Sequence, residues 1–320
     1  MTTLQNMKGR ISIVWDGMSL QERQAVSMGD RICCKRLCNR LYQSFNSPFD
    51  HPGNIPYDPR DPIDFTDKIH LLAGFAGAQQ AFLNQNQAWG VCIQDREFLT
   101  PQGPQRQHYE SLFMSLPSAR LCNCFFHFNY PSGQPQDMIR IAVNVHPCRT
   151  VGAIEDWLLL VKQNVPELTS FKVAGPDITR KPDTVLLYLN KPRNDPDNEA
   201  IVNLLQTISQ WASQGLNVLR DWVHPLQTRQ AAGIGIADDP PSIPAYNGIS
   251  FTALRATITS MILIGVNPAV VGDAAADAVE SQLANYGINA QDPAQNANLP
   301  NNQTVDAIAN YAIWLGMKVQ

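Results

Sequence analysis

The stretch Ser170-Phe171-Lys172-Val173-Ala174-Gly175-Pro176, followed by Thr184-Val185-Leu186-Leu187-Tyr188-Leu189-Asn190, decides how this chain is read. A lone lysine stands among apolar residues, beside a Gly-Pro turn and just upstream of a strand that carries a tyrosine. Removing an ammonium group from water costs on the order of several kcal/mol, so buried lysines are rare. Two readings of Lys172 follow. Its stem lies along apolar surface and its head reaches water from the end of a strand, or the amine is buried. Burial lowers a lysine's pKa and makes the neutral amine available as a base.

Upstream, Trp89-Gly-Val-Cys-Ile93, Leu121 to Asn129 and Met138 to Val145 read as strands. Alternation in the last of these sets Arg140, Ala142 and Asn144 on one face and Ile139, Ile141, Val143 and Val145 on the other. The first face reads as solvated or as the wall of a site. Helices are predicted over 18–46, about 66–85, about 150–165 and about 197–213 from apolar spacing. The strand–helix–strand–strand–helix order predicts an α+β fold, a small mixed or antiparallel sheet flanked by helices, rather than a doubly wound parallel sheet.

The final third is helical and alanine-rich. Phe251 to Leu263 and Asp273 to Tyr286 fit helices, the second stopped by Gly287, and a last helix starts at Thr304. The Gln/Asn/Pro stretch 291–303 between them is expected to be exposed and mobile. Between Ser47 and Asp64 lies a Pro/Asp-rich loop whose five prolines exclude regular structure. It reads as a surface excursion or as a loop that covers a substrate. The chain thus divides into an N-terminal helical region (1–86), an α+β core (87–265) and a C-terminal helical extension (266–320).

Of the 320 residues, 44% are apolar and only 16% charged, with a net charge of −4. Such a chain has no global basic field for nucleic acid or anionic lipid, so neither is an expected partner. The seven cysteines are odd in number and lack paired CxxC units with zinc spacing. They read as reduced thiols of a cytosolic protein, and no metal or cofactor is expected. The N-terminus lacks the apolar core of a secretory signal, and no window reaches the length of a membrane span. No internal repeat, Walker loop, GxSxG elbow or HExxH is present.

Arg140-Ile-Ala-Val-Asn-Val145, then Phe171-Lys172-Val173-Ala-Gly-Pro, then Val185-Leu-Leu-Tyr188-Leu resemble the core of the OspF/SpvC phosphothreonine lyases. A closer resemblance is to the Hop-type effector family of plant pathogens, whose bacterial relatives include stand-alone lyases of class V lanthipeptide and thioamitide biosynthesis. It is carried by Leu37-Cys-Asn-Arg-Leu-Tyr42-Gln-Ser-Phe45 and by Phe82-Leu-Asn84-Gln-Asn86 running into Trp89. A third stretch is Gly233-Ile-Gly235-Ile-Ala-Asp-Asp-Pro240, leading to Ser250-Phe251-Thr-Ala-Leu-Arg255. The resemblance runs from about residue 35 to residue 265; each motif is short, but their order and spacing agree.

That resemblance implies β-elimination of phosphate from phosphoserine or phosphothreonine, leaving a dehydroamino acid. Lys172 occupies the position of the base that removes the Cα proton. Arg140 matches a phosphate-side lysine, Arg180 (or Lys181) a phosphate-binding arginine, and Tyr188 a tyrosine of the following strand. Arg255 and, less directly, Arg229, just before a loop at Gly233/Gly235, are further phosphate candidates; each arginine singly also reads as a surface charge. The chemistry suits these residue types. The Cα–H is very weakly acidic and needs a neutral, aimed amine. The enolate-like carbanion needs a donor, and the departing phosphate suits planar guanidinium groups.

One departure concerns the proton donor. The lyases carry a histidine two residues after the phosphate-side lysine, where this chain has Ala142; Asn190 likewise replaces a lysine. His146 at the strand exit or Tyr188 could donate instead, or a clamped phosphate could leave unaided. The implied partners are a phosphorylated precursor peptide and a separate kinase. The alternatives are a type III effector secreted into a host cell, or a non-catalytic phosphopeptide-binding or scaffold protein.

Overall fold

The computed structural model describes residues 2–46, 90–94, 125–129, 138–145, 168–174, 183–190, 199–214 and 219–317. The alternating segments of the middle third pair into one antiparallel sheet. Its strands are β1 (Gly90–Gln94), β2 (Phe125–Asn129), β3 (Met138–Val143), β4 (Leu168–Ala174), β5 (Val185–Asn190), β6 (Thr228–Ala231) and β7 (Ile234–Asp238), in the spatial order β1-β2-β4-β5-β3-β7-β6. Helices α1 (Thr3–Asp16), α2 (Leu20–Ser27), α3 (Arg31–Asn46), α4 (Glu199–Ser213), α5 (Phe251–Ile264), α6 (Gly272–Gln282) and α7 (Asn302–Leu315) complete the expected α+β architecture. Val185 to Leu189 of β5 are all buried, because an inner strand covered on both faces tolerates apolar side chains on both. The loop 47–64 and the predicted helices 66–85 and 150–165 lie outside the described residues.

Three expectations change. The single helix read over 18–46 is two, α2 and α3. Ser19 and Glu22 form a capping box that starts α2, and Gly29, at φ 75, turns the chain before Asp30 accepts a hydrogen bond from the Cys33 amide. The Gly233/Gly235 region is a hairpin, not a loop. Of the two glycines only Gly233 lies in the turn, beside Ala232 and at φ 69, where a Cβ would also overlap the Arg220 carbonyl oxygen. Gly235 lies within β7, leaving room for Val223 and Gln227 against the strand. Finally, the 291–303 stretch is not wholly mobile: Ile288 bridges Asn296, the Asp238 amide donates to the Ala294 carbonyl at 2.9 Å, and Ala294 is buried.

The N-terminal segment, within the region read as helical but given no helix before residue 18, forms α1 behind a Thr2–Gln5 capping box. It crosses α6 so closely that a Cβ on Gly272 would overlap Ser12. Lys8 bridges Asp277 and Glu280 at 2.6 Å each, and the Gly272 amide donates to Asp16 at 2.8 Å. Helices from both ends of the chain therefore share one core with α5, including Trp15, Leu37, Phe45, Phe251, Ile308 and Leu315. Cys38 sits in this core, where burial pushes its thiol up to about 12 and keeps it protonated. Among the described residues no helix is long and apolar enough to cross a membrane.

Candidate active site

Register brings three distant side chains together. Arg140 on β3 is directly opposite Tyr188 on β5, which is also opposite Ser170 on β4; Lys172, two residues along, is opposite Leu186. Directly opposed residues of an antiparallel pair share a face, and diagonal neighbours remain within reach of long side chains. The Lys172 ammonium accordingly lies 5.8 Å from the centre of the Tyr188 ring. Arg140 Nη2 donates to Tyr188 Oη at 3.0 Å, with its guanidinium carbon 5.5 Å from the ring centre. The ring quadrupole attracts the Arg140 guanidinium, and would attract Lys172 whenever its amine is protonated.

All three are buried, Lys172 and Arg140 at 5% exposure and Tyr188 at 8%. Lys172 stands within the seven-residue β4, not at its end, and does not send its head to water. The face of Arg140, Ala142 and Asn144 is likewise buried rather than solvated. Asn144 uses it to anchor the distant segment before β6, donating to the Trp222 carbonyl at 3.1 Å.

Arginine only donates hydrogen bonds, so at the 3.0 Å contact Tyr188 Oη is the acceptor and its own proton points elsewhere. Arg140 is held from its other side by Asp239, whose Oδ1 is 3.1 Å from Nε, an ion pair without hydrogen-bond alignment. Burial works against the Arg140 charge, but Tyr188, Asp239 and Asp183 outweigh it and raise its pKa. The guanidinium remains charged throughout the physiological range.

The remaining sequence candidates fall elsewhere. His146 and Arg180, with Lys181, lie outside the described residues. Arg229 is on the edge strand β6, largely exposed and paired with Asp221 at 2.5 Å. Four strand spacings, roughly 19 Å, separate it from β4, so it does not join the Lys172 cluster. Arg255 is fully buried in α5 and hydrogen-bonds the 293–296 segment. Burial lowers its pKa to about 9, with Asp238 opposing. Asn190 is exposed at the end of β5.

Two histidines escaped the sequence reading. His127 is the register partner of Lys172 in the β2–β4 ladder, a placement that only strand pairing reveals. His224 is buried between α3 and α5. Its Nδ1 accepts from the Leu226 amide at 3.2 Å, so the ring proton is on Nε2, which faces Thr252 Oγ1 at 3.1 Å and Asn46 Oδ1 at 3.3 Å. Burial, reinforced by Arg140, Arg10 and Arg255 against Asp183, lowers its pKa from 6.5 to about 3.

This depressed value carries a stability prediction. Below 6.5 the unfolded chain's imidazole takes up a proton that the native state refuses, so stability is undiminished above that pH and falls as pH drops toward 3. The loss is about 1.4 kcal/mol per pH unit, or roughly 2 kcal/mol between neutrality and about pH 5. His224→Gln, which keeps an N–H donor without titrating, should remove this component of the pH slope in urea unfolding. Equal slopes in the two proteins would show that His224 is not the group responsible.

No family model matches the chain, and no curated protein matches it in sequence. Solved structures share the fold, among them two effector proteins. An effector protein from Pseudomonas syringae pv. tomato strain DC3000 aligns with a TM-score of 0.54 at 14% identity, over 89% of this chain and 99% of that one. An effector protein from Pseudomonas syringae pv. syringae strain 61 aligns with a TM-score of 0.52 at 16% identity, over 82% and 99%. At these identities the likeness is one of fold.

Proposed function

We propose that this protein is a metal-free lyase that eliminates phosphate from phosphothreonine or phosphoserine in a peptide phosphorylated by a separate kinase. The observation that carries the reading is a buried lysine held against a tyrosine whose hydroxyl is oriented by a buried arginine. Lys172, as the neutral amine, takes the Cα proton. The electron pair left on Cα forms the Cα=Cβ double bond as the Cβ–O bond breaks. Tyr188 gives its proton to the departing phosphate oxygen, and Arg140 opposes the negative charge that develops there. The test is incubation of the protein with a phosphothreonine peptide, followed by mass spectrometry for loss of phosphoric acid and by thiol trapping of the dehydro product. An unchanged peptide that still binds would instead favour a non-catalytic phosphopeptide-binding module.

Arg140→Ala should weaken phosphopeptide binding and slow elimination, by roughly 2–4 kcal/mol in the combined step. Lysine should restore only part of this, because a point charge cannot meet Tyr188 and Asp239 as the guanidinium fork does. Calorimetric titration with the phosphopeptide reads the binding share. Wild-type affinity in Arg140→Ala would remove this residue from the phosphate site.

A second reading, delivery into a host cell as an effector, is favoured by the fold shared with the two Pseudomonas syringae proteins. The two readings differ in substrate. A lyase of peptide biosynthesis acts on a precursor peptide made beside it, whereas an effector engages a host protein. Activity on phosphopeptides from each source separates them.

A further inference from the structure

We infer that Arg255, rather than binding phosphate, positions Arg140 from behind the candidate site; the inference rests on the lyase reading for its functional consequence. Two separate chains of contact run from one guanidinium to the other. The shorter passes through an aromatic ring: the guanidinium carbons of Arg255 and Arg140 lie 3.8 and 5.0 Å from the centre of Phe251. A ring attracted by two cations ties the place of one to the place of the other.

The longer chain passes through the strap 293–296. Arg255 Nε donates to the Pro293 carbonyl at 2.7 Å, and Nη2 donates to the Ala294 carbonyl at 3.2 Å and to Asn296 Oδ1 at 3.3 Å. Asn296 Nδ2 in turn donates to the Asp239 carbonyl at 2.7 Å, and the Asn296 amide donates to Asp238 Oδ2 at 2.9 Å. The Asp239 amide donates to the Met138 carbonyl at 2.8 Å, fixing the carboxylate beside Arg140 Nε. Three acceptors spread around one guanidinium need a planar fork, which explains arginine over lysine. Nε and Nη2 are engaged, Nη1 has no hydrogen-bond partner among the described residues, and the whole side chain is at 0% exposure, so burial closes the route of a phosphate to it.

A double-mutant cycle tests this. Asn296→Ala removes the strap's hold on Asp239 and one acceptor of Arg255 while keeping the arginine and its two carbonyl contacts; Arg255→Gln removes the source. In the otherwise wild-type protein each should weaken binding of a phosphothreonine peptide by about threefold to a hundredfold, the range of coupled neighbours. In an Arg140→Gln background the same changes should cost less than about twofold, since nothing remains to be positioned. A full, additive loss in that background would mean that Arg255 acts on the ligand directly and would overturn the inference. The cycle is run in parallel on urea unfolding, where Asn296→Ala and Arg140→Gln should be non-additive. Additive stabilities would also overturn the inference. If the wild-type protein binds no phosphopeptide while stabilities remain coupled, the lyase reading fails and the positioning of Arg140 stands.

Discussion

Lys172→Ala is expected to abolish elimination while leaving the fold and phosphopeptide binding nearly intact. General-base catalysis contributes about 10²–10⁴-fold, and a peptide Cα–H offers no alternative path at neutral pH, so the loss should reach at least the upper end of that range. The register of β4 and β5 sets a buried amine 5.8 Å from the Tyr188 ring on the Arg140 face. Two further variants separate the base from the charge and from the volume. Lys172→Arg keeps the cation but cannot lose its proton, so it should be equally inactive. Lys172→Met fills the same space without an ionisable group and protects against loss of activity through a packing defect. The readout is mass-spectrometric loss of phosphoric acid from a phosphothreonine peptide. Substantial turnover by the Arg variant would sink Lys172 as the base.

Tyr188→Phe should slow elimination by about 10²–10⁴-fold, the usual contribution of a general acid, with a much smaller effect on peptide affinity. Because Arg140 can only donate, the phenol oxygen accepts from it at 3.0 Å and its proton is left for another acceptor. The same contact stabilises the phenolate formed once that proton departs. Phenylalanine keeps the ring under Lys172 and Arg140, so the change isolates the hydroxyl. His146→Ala, measured beside it, should cost little. Activity retained in Tyr188→Phe and lost in His146→Ala would transfer the role to the histidine and give a bell-shaped pH profile. Full activity in both would mean that the clamped phosphate leaves unprotonated.

Much of the architecture was legible in the sequence because period and punctuation are local. Alternation marked β3, a short apolar run marked β5, helical spacing marked α4 and α5, and Gly287, at φ 81, stopped the segment that begins with α6. The break at Gly29 was missed because apolar spacing carries across it. The β6–β7 hairpin was missed because β6 reads Thr-Arg-Gln-Ala, an exposed edge with no apolar alternation.

For the site, the sequence by itself determined which residue types were present and that Lys172, Tyr188 and Arg140 lay on largely apolar segments. Only the tertiary structure decided which charged side chains meet. Arg140 and Tyr188 are 48 positions apart and become hydrogen-bonded partners through strand register. Arg229 and Arg255, named beside Arg140 as phosphate candidates in the sequence, separate from it by environment: one lies on an open edge paired with Asp221, the other is buried among backbone carbonyls. An arginine's residue type encodes its donors, but the acceptors come from distant segments. Whether it binds a ligand, holds a strap or faces water is therefore set by packing rather than by its own neighbours in the chain.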